Sequence, residues 1–182
     1  MALTLEPVLD FWFGEIAPED WWKADPAFDA TVRVRFGALL EQAAAGELFR
    51  WRRSAQGRLA EIVVLDQFSR NIHRGTPRAF AQDPMALVLA QETVDRGMPQ
   101  QLDAPMQRTF LLMPYMHSES RAIHEQAERL FEAHAPADNL DYERRHKAII
   151  DRFGRYPHRN AILGRSTTPE ERAFLKQPGS SF

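Results

Sequence analysis

Two stretches of the chain set the same charged residue types at the same spacing. VVLDQFSRNIHRG, residues 63–75, carries Asp66, Phe68, Arg70, Asn71, His73 and Arg74. AIIDRFGRYPHRN, residues 148–160, carries Asp151, Phe153, Arg155, His158, Arg159 and Asn160, five of them in matching register. Guanidiniums are forked donors that fit carboxylate and phosphate oxygens. Imidazoles carry protons near neutral pH. A third stretch, MPYMHSESRAIHEQ at residues 113–126, adds His117, Glu119, Arg121 and His124, and His146 lies on the segment leading into the second phrase.

Two readings of these residues stand side by side. In one, the arginines and histidines sit at helix exits, bond the last carbonyls, and complement the negative helix end for about 0.3–1 kcal/mol each. In the other, the exits face one another. Four guanidiniums at close range repel, so Asp66 and Asp151 must pair with them or an anion must sit among them. The match itself is near what chance supplies and does not establish a duplication. Pro114 is expected to break the helix before it, with Ser118 capping the next one. His117 would then lie at a helix N-terminus, beside free N–H groups that favour anions. His117, Arg121, His124 and Glu128 share one helix face, for which solvation is the plain explanation.

Other chemistries lack their signatures. No cysteine occurs, which excludes disulfides, thiolate zinc sites and cysteine nucleophiles. His117, Glu119, His146 and Asp151 are ligand-type residues without diagnostic spacing, and the His-Glu pair at 124–125 has Glu128 where a zincin needs His. No metal or cofactor is expected. There is no P-loop, dinucleotide-binding glycine pattern or nucleophile-elbow serine.

The elements that must position these residues read as helices. Asp25-Pro26, Thr76-Pro77, Asp83-Pro84 and Thr168-Pro169 each offer a cap followed by a proline in the first turn. Thr168 with Glu171 adds capping-box spacing, and Gly14, Gly46, Gly97 and Gly154 stand at expected stops. Apolar stripes such as Phe28, Val32, Phe36, Leu39 and Leu40 recur at helical period. Helices are expected near 5–13, 26–45, 55–69, 84–96, 105–113, 118–134, 139–153 and 169–176, with no cleanly alternating strand. Trp12, Trp21 and Trp22 read as packing residues. Short helices with brief links stack as antiparallel pairs; the run AFAQDPMALVLAQETVDRG is loosely like one tetratricopeptide unit, without a regular 34-residue period.

The totals fit one domain, residues 1–182, with a sizeable core. Apolar residues make up 44% and charged residues 26%, an ordinary globular mix. The net charge of −2 gives no field that recruits nucleic acid. Of the 23 basic residues only Lys23, Lys147 and Lys176 are not arginine, a bias with a plain genomic explanation and a functional one in forked anion recognition. The N-terminal MALTLEPVLDFWFGE lacks a basic region and is not read as a signal peptide, and no run is long enough to span a membrane. A cytoplasmic location is the expectation.

The segments LDFWFG, WWKADPAFD, LLEQAAAGEL, LDQFSRNIHRGTPRAFAQD, MHSE and RRHKAIIDRFGRYPHRNAILGRSTTPEERAFL, with the closing Phe182, resemble a bacterial family known as a domain of unknown function, number 924 in that series. The resemblance implies an all-α, tetratricopeptide-like fold and no established reaction. It picks out Asp66, Gln67, Arg70, Asn71, Arg74, His117, Ser118, Glu119, His146, Arg155, His158, Arg159 and Asn160. Ser69 and His73 depart from it, standing where a proline and an aromatic are common.

The expectation is therefore a helical binding protein for a small anionic molecule or an acidic peptide end, with neither nucleic acid nor membrane as partner. Its ligand contacts would be Asp66, Arg70, Asn71, Arg74, His117, Glu119, His146, Arg155, His158, Arg159 and Asn160. The alternatives are a hydrolase or phosphoryl-transfer enzyme using His117, His158 or Glu119, and a scaffold locked by Arg–Asp pairs. Arg70, Arg74, His117, Glu119, Arg155 and His158 are expected to converge on one concave region.

Overall fold

The computed structural model describes residues 4–181 and is helical throughout, with no strand among the described residues. Phe182 lies outside them. Helix α1 (Glu6–Asp10) runs into a π-helical turn, Phe11–Glu15. Helix α2 (Pro26–Ala44) starts where the Asp25 carboxylate accepts the Ala27 N–H at 2.8 Å. Helices α3 (Ala55–Ile62) and α4 (Ser69–Ile72) are joined without a break by a second π-helical segment, Val63–Phe68. Then follow α5 (Asp83–Asp95), α6 (Pro105–Met116), α7 (Arg121–His134), α8 (Ala137–Phe153) and α9 (Pro169–Phe174).

The composite helix 55–72 is the centre of the molecule. Every residue from Gly57 to Ser69 is buried, and α2, α5 and α6 pack around it. Phe68 stacks on Phe36 at 4.7 Å between ring centroids and meets Trp12 edge-on at 5.6 Å. Trp22 is the exception among the tryptophans: it lies flat on Phe110 but stays 54% exposed, so it is not a core residue. A smaller apolar cluster of Ile149, Ile150 and Tyr156, flanked by Phe153 and Phe174, holds the C-terminal part. Helices α6, α7 and α8 pack in sequence, and the short link between α7 and α8 turns the chain back on itself.

Three local expectations are corrected. Pro114 does not break its helix; α6 continues to Met116, with buried side chains on all sides to hold it. His117 accordingly follows the C-terminus of α6, not the N-terminus of α7. Ser118 does not cap α7, which begins at Arg121 after Ser120; its hydroxyl instead accepts the Ser120 N–H at 3.3 Å. The glycine stops at Gly46, Gly97 and Gly154 do adopt positive φ, whereas Gly14 lies within the π-helical turn without one. Thr168 and Glu171 form the capping box at the start of α9.

Candidate functional site

The π-helical segment decides what Asp66 can do. A π turn inserts an extra residue into the helical register, and such insertions are frequent at functional sites. Asp66 is 0% exposed and collects polar partners inside the protein. His117 Nδ1 lies 2.8 Å from its Oδ1, Arg70 Nη1 donates to the same oxygen at 2.9 Å, and Gln67 Nε2 donates to Oδ2 at 2.6 Å. Burial pushes this carboxyl up, but the charge of Arg70 and the bond from His117 outweigh it and hold Asp66 well below the usual carboxylate range. Asp66 is thus an ionised acceptor, which fixes the proton of neutral His117 on Nδ1. Burial, reinforced by Arg70, lowers the His117 pKa.

Arg70 reaches further. Its fork grips Asp83 at the start of α5, at 2.8 and 3.0 Å. Asp83 therefore serves as an ion partner, not as the helix cap its sequence position suggests. Arg159 approaches the same carboxylate at 3.5 Å. Both guanidiniums lie over the Phe80 ring, at 5.6 Å for Arg70 and 4.6 Å for Arg159.

Tyr156 joins this group to the rest. Arg159 stacks over its ring at 4.7 Å, while His158 and His146 lie 5.5 and 5.8 Å from it. Its backbone N–H donates to Glu119 at 2.7 Å, and Arg165 clamps the same carboxylate at 2.6 and 3.0 Å. Its hydroxyl donates to the Met116 carbonyl. Beneath it, His124 Nδ1 sits 2.7 Å from Glu143, both side chains fully buried, and Nε2 donates to the Ser118 carbonyl at 2.8 Å.

Asp66, Arg70, His117, Glu119, His146, His158 and Arg159 thus come together around Asp83 and Tyr156. Four other candidates bond elsewhere. Arg74 and Asn71 both bond Asp29 of α2, Arg74 through two nitrogens at 2.5 and 2.8 Å. Arg155 is taken by Glu171 of α9 at 2.6 and 2.9 Å, and Asn160 donates to the same carboxylate at 3.2 Å. Arg155 does not wait among like charges, because the capping-box glutamate neutralises it. Asp83, read from sequence only as a helix cap, and Phe80, Tyr156, Glu143 and Arg165 are not among the residues expected at the site; all but Glu143 lie within the segments that carry the family resemblance. Among the described residues no group of three or more His, Cys, Asp or Glu is placed to hold a metal ion, and no helix is long and apolar enough to cross a membrane.

The buried titratable groups set a pH profile. Burial drives His158 down to about 4 and His146 to about 3. Each binds its proton more weakly when folded, so its contribution is full above the unfolded value near pH 6.5 and falls with pH below it. Each costs up to about 1.4 kcal/mol per pH unit over that interval. Glu171, held at about 2 chiefly by the Arg155 hydrogen bonds, and Asp66 and Glu119, both lowered, continue the loss below roughly pH 4. Urea unfolding midpoints are expected to be level from pH 8 to 7 and to drop steadily from pH 6.5 to 4.5. A level profile down to pH 5 contradicts the buried neutral imidazoles.

The fold and site define an all-α protein with a closely coupled Arg–Asp–His cluster where its central helix meets the 156–165 segment. The chain belongs to the family described as a bacterial protein of unknown function (DUF924), whose model matches residues 8–179. It is similar to a solved structure, a protein of unknown function, ATU0120, from Agrobacterium tumefaciens, with 38% identity and a TM-score of 0.89, over 94% of this chain and 96% of that one. No curated protein matches it.

Proposed function

We propose that the protein binds a small molecule, or an acidic peptide end, through an oxyanion group seated at Arg159 beside Arg70 and His117. One observation carries this reading. The Arg159 side chain is 7% exposed, yet among the described residues its Nε has no hydrogen-bond partner, and its ion contact to Asp83 is long, at 3.5 Å. Buried donors are almost always satisfied, and an unsatisfied one points to a missing water or ion. Burial and the neighbouring Arg70 charge lower the Arg159 pKa, a cost that an anion would relieve. Arg165 Nε, also buried and without a partner among the described residues, lies in the same segment.

The Asp66–His117 pair supports a second reading, in which the same site is that of a hydrolase or phosphoryl-transfer enzyme with His117 or His158 moving the proton. A pure scaffold accounts for Arg74 and Arg155, whose forks are filled, but leaves Arg159 Nε unexplained.

Thermal unfolding with acetate, phosphate and sulfate at fixed ionic strength tests the binding reading. An anion at 100 times its dissociation constant is expected to add about 2.7 kcal/mol. Arg159→Met keeps the stem and removes the charge beside Arg70. Its stability is expected to equal or exceed the parent's, with the anion effect gone. A variant that unfolds far more easily, together with a parent indifferent to every anion, supports the scaffold.

A further inference from the structure

The charged side chains around Asp83 and Tyr156 balance. Among the described residues, Asp66, Asp83 and Glu119 face Arg70, Arg159 and Arg165, three negative charges against three positive. An anion entering so buried and neutral a cluster adds an uncompensated charge, which a poorly solvated surrounding penalises. One proton taken up with it removes that penalty, and His117 is placed to accept one. Its Nδ1 is committed to Asp66, while Nε2 makes no hydrogen bond to any described residue. The ring keeps 13% exposure, so solvent protons reach it. It also follows the C-terminus of α6, where the negative end of the helix favours a cation.

We propose that ligand binding is proton-coupled: a monovalent oxyanion of the carboxylate class enters beside Arg159 and Arg70, and one proton from solvent adds to His117 Nε2. The inference rests on the anion-site reading above. The imidazolium then donates Nδ1–H to Asp66 and stands beside the bound anion through Nε2–H; no other bond is made or broken. The groups facing His117 come from every side of the cluster. Asp66 of the π-helical segment and Asp83 of α5 favour its protonation, while Arg70 of α4, His146 of α8 and His158 oppose it. In the free protein the opposing groups and burial prevail and the ring is neutral at pH 7; a carboxylate beside Arg70 reverses the balance.

Acetate is the probe, since it stays ionised from pH 6 to 8. Its dissociation constant, followed by NMR titration at fixed ionic strength, is expected to weaken by nearly tenfold per pH unit between pH 6.5 and 8. The ¹⁵N resonance of His117 Nε2 is expected to move from the unprotonated to the protonated range when acetate saturates the parent at pH 7. His117→Asn is expected to bind acetate with no such slope; should it fail to fold, the ¹⁵N resonance of the parent decides alone. A parent whose affinity is independent of pH, with an unshifted His117 resonance, overturns the coupling and leaves the anion site standing. A slope that survives in His117→Asn assigns the proton to His146 or His158 and overturns the role of His117. No acetate binding at any pH removes the anion site itself, and the coupling with it.

Discussion

Asp66→Ala is expected to cost about 3 kcal/mol of stability, a large share of the 5–15 kcal/mol typical of a domain. The fully buried carboxylate holds three donors, on His117, Gln67 and Arg70. Removing it leaves a buried imidazole N–H and a buried amide without their acceptor, and such groups cost the most when orphaned. Asp83 still pairs Arg70, which keeps the loss at the low end of the range for a broken buried pair. Asp66→Asn retains an acceptor for His117 and is expected to cost less. Urea unfolding of both variants checks this; a loss below about 1 kcal/mol for Asp66→Ala means the cluster does not hold the central helix to α6.

His124→Ala is expected to destabilise the protein by about 3–5 kcal/mol. The His124–Glu143 pair ties α7 to α8, and both side chains are wholly inaccessible. Nε2 must be protonated to donate to the Ser118 carbonyl, so Nδ1 and Glu143 share one further proton between them. Burial raises the Glu143 pKa, offset in part by His124. Without the imidazole, Glu143 is left buried and takes up that proton to stay neutral. The variant is therefore expected to lose stability less steeply than the parent as pH falls from 7 to 5, because proton uptake by Glu143 offsets part of the cost of the buried His146 and His158. Equilibrium unfolding at the two pH values measures this. A variant that loses stability on acidification as steeply as the parent contradicts the shared proton.

The helices were legible because their punctuation is local. Asp25 caps α2, Thr168 and Glu171 box the start of α9, and Gly154 ends α8 at a φ of 69°, each fixed by residues within a turn of one another. The doubled phrase was legible only in part, because its two copies share a pattern but not an environment. Asp66 lies on a π-helical segment in the centre of the molecule, whereas Asp151 is exposed and pairs with Lys147 on its own helix. Nor does the first phrase end a helix, since the chain continues from Phe68 directly into α4. No spacing rule separates a buried aspartate from an exposed one.

Partner choice across long sequence separations was equally hidden. Arg74 finds Asp29, 45 residues away, and Arg165 finds Glu119, 46 residues away. The two phrases hold only Asp66 and Asp151 as acids, and apart from the Arg70–Asp66 pair the partners of their arginines come from α2, α5 and α9. The guanidinium that does stay under-satisfied, Arg159, sits two residues past Pro157, in a short turn whose geometry only the packed structure defines.

In the proposed binding role, Arg159 Nε awaits an acceptor. The ¹⁵N–¹H resonance of that group, assigned through Arg159→Lys and followed as acetate or phosphate is added at pH 6.5 and fixed ionic strength, tests it most directly. A saturable shift of Arg159 Nε–H, with the Arg74 and Arg155 Nε–H resonances unmoved because Asp29 and Glu171 already hold them, is the result expected. If the Arg159 resonance shows no saturable shift with either anion, or moves only in step with Arg74 and Arg155, the Arg–Asp–His cluster is structural and the anion site does not exist.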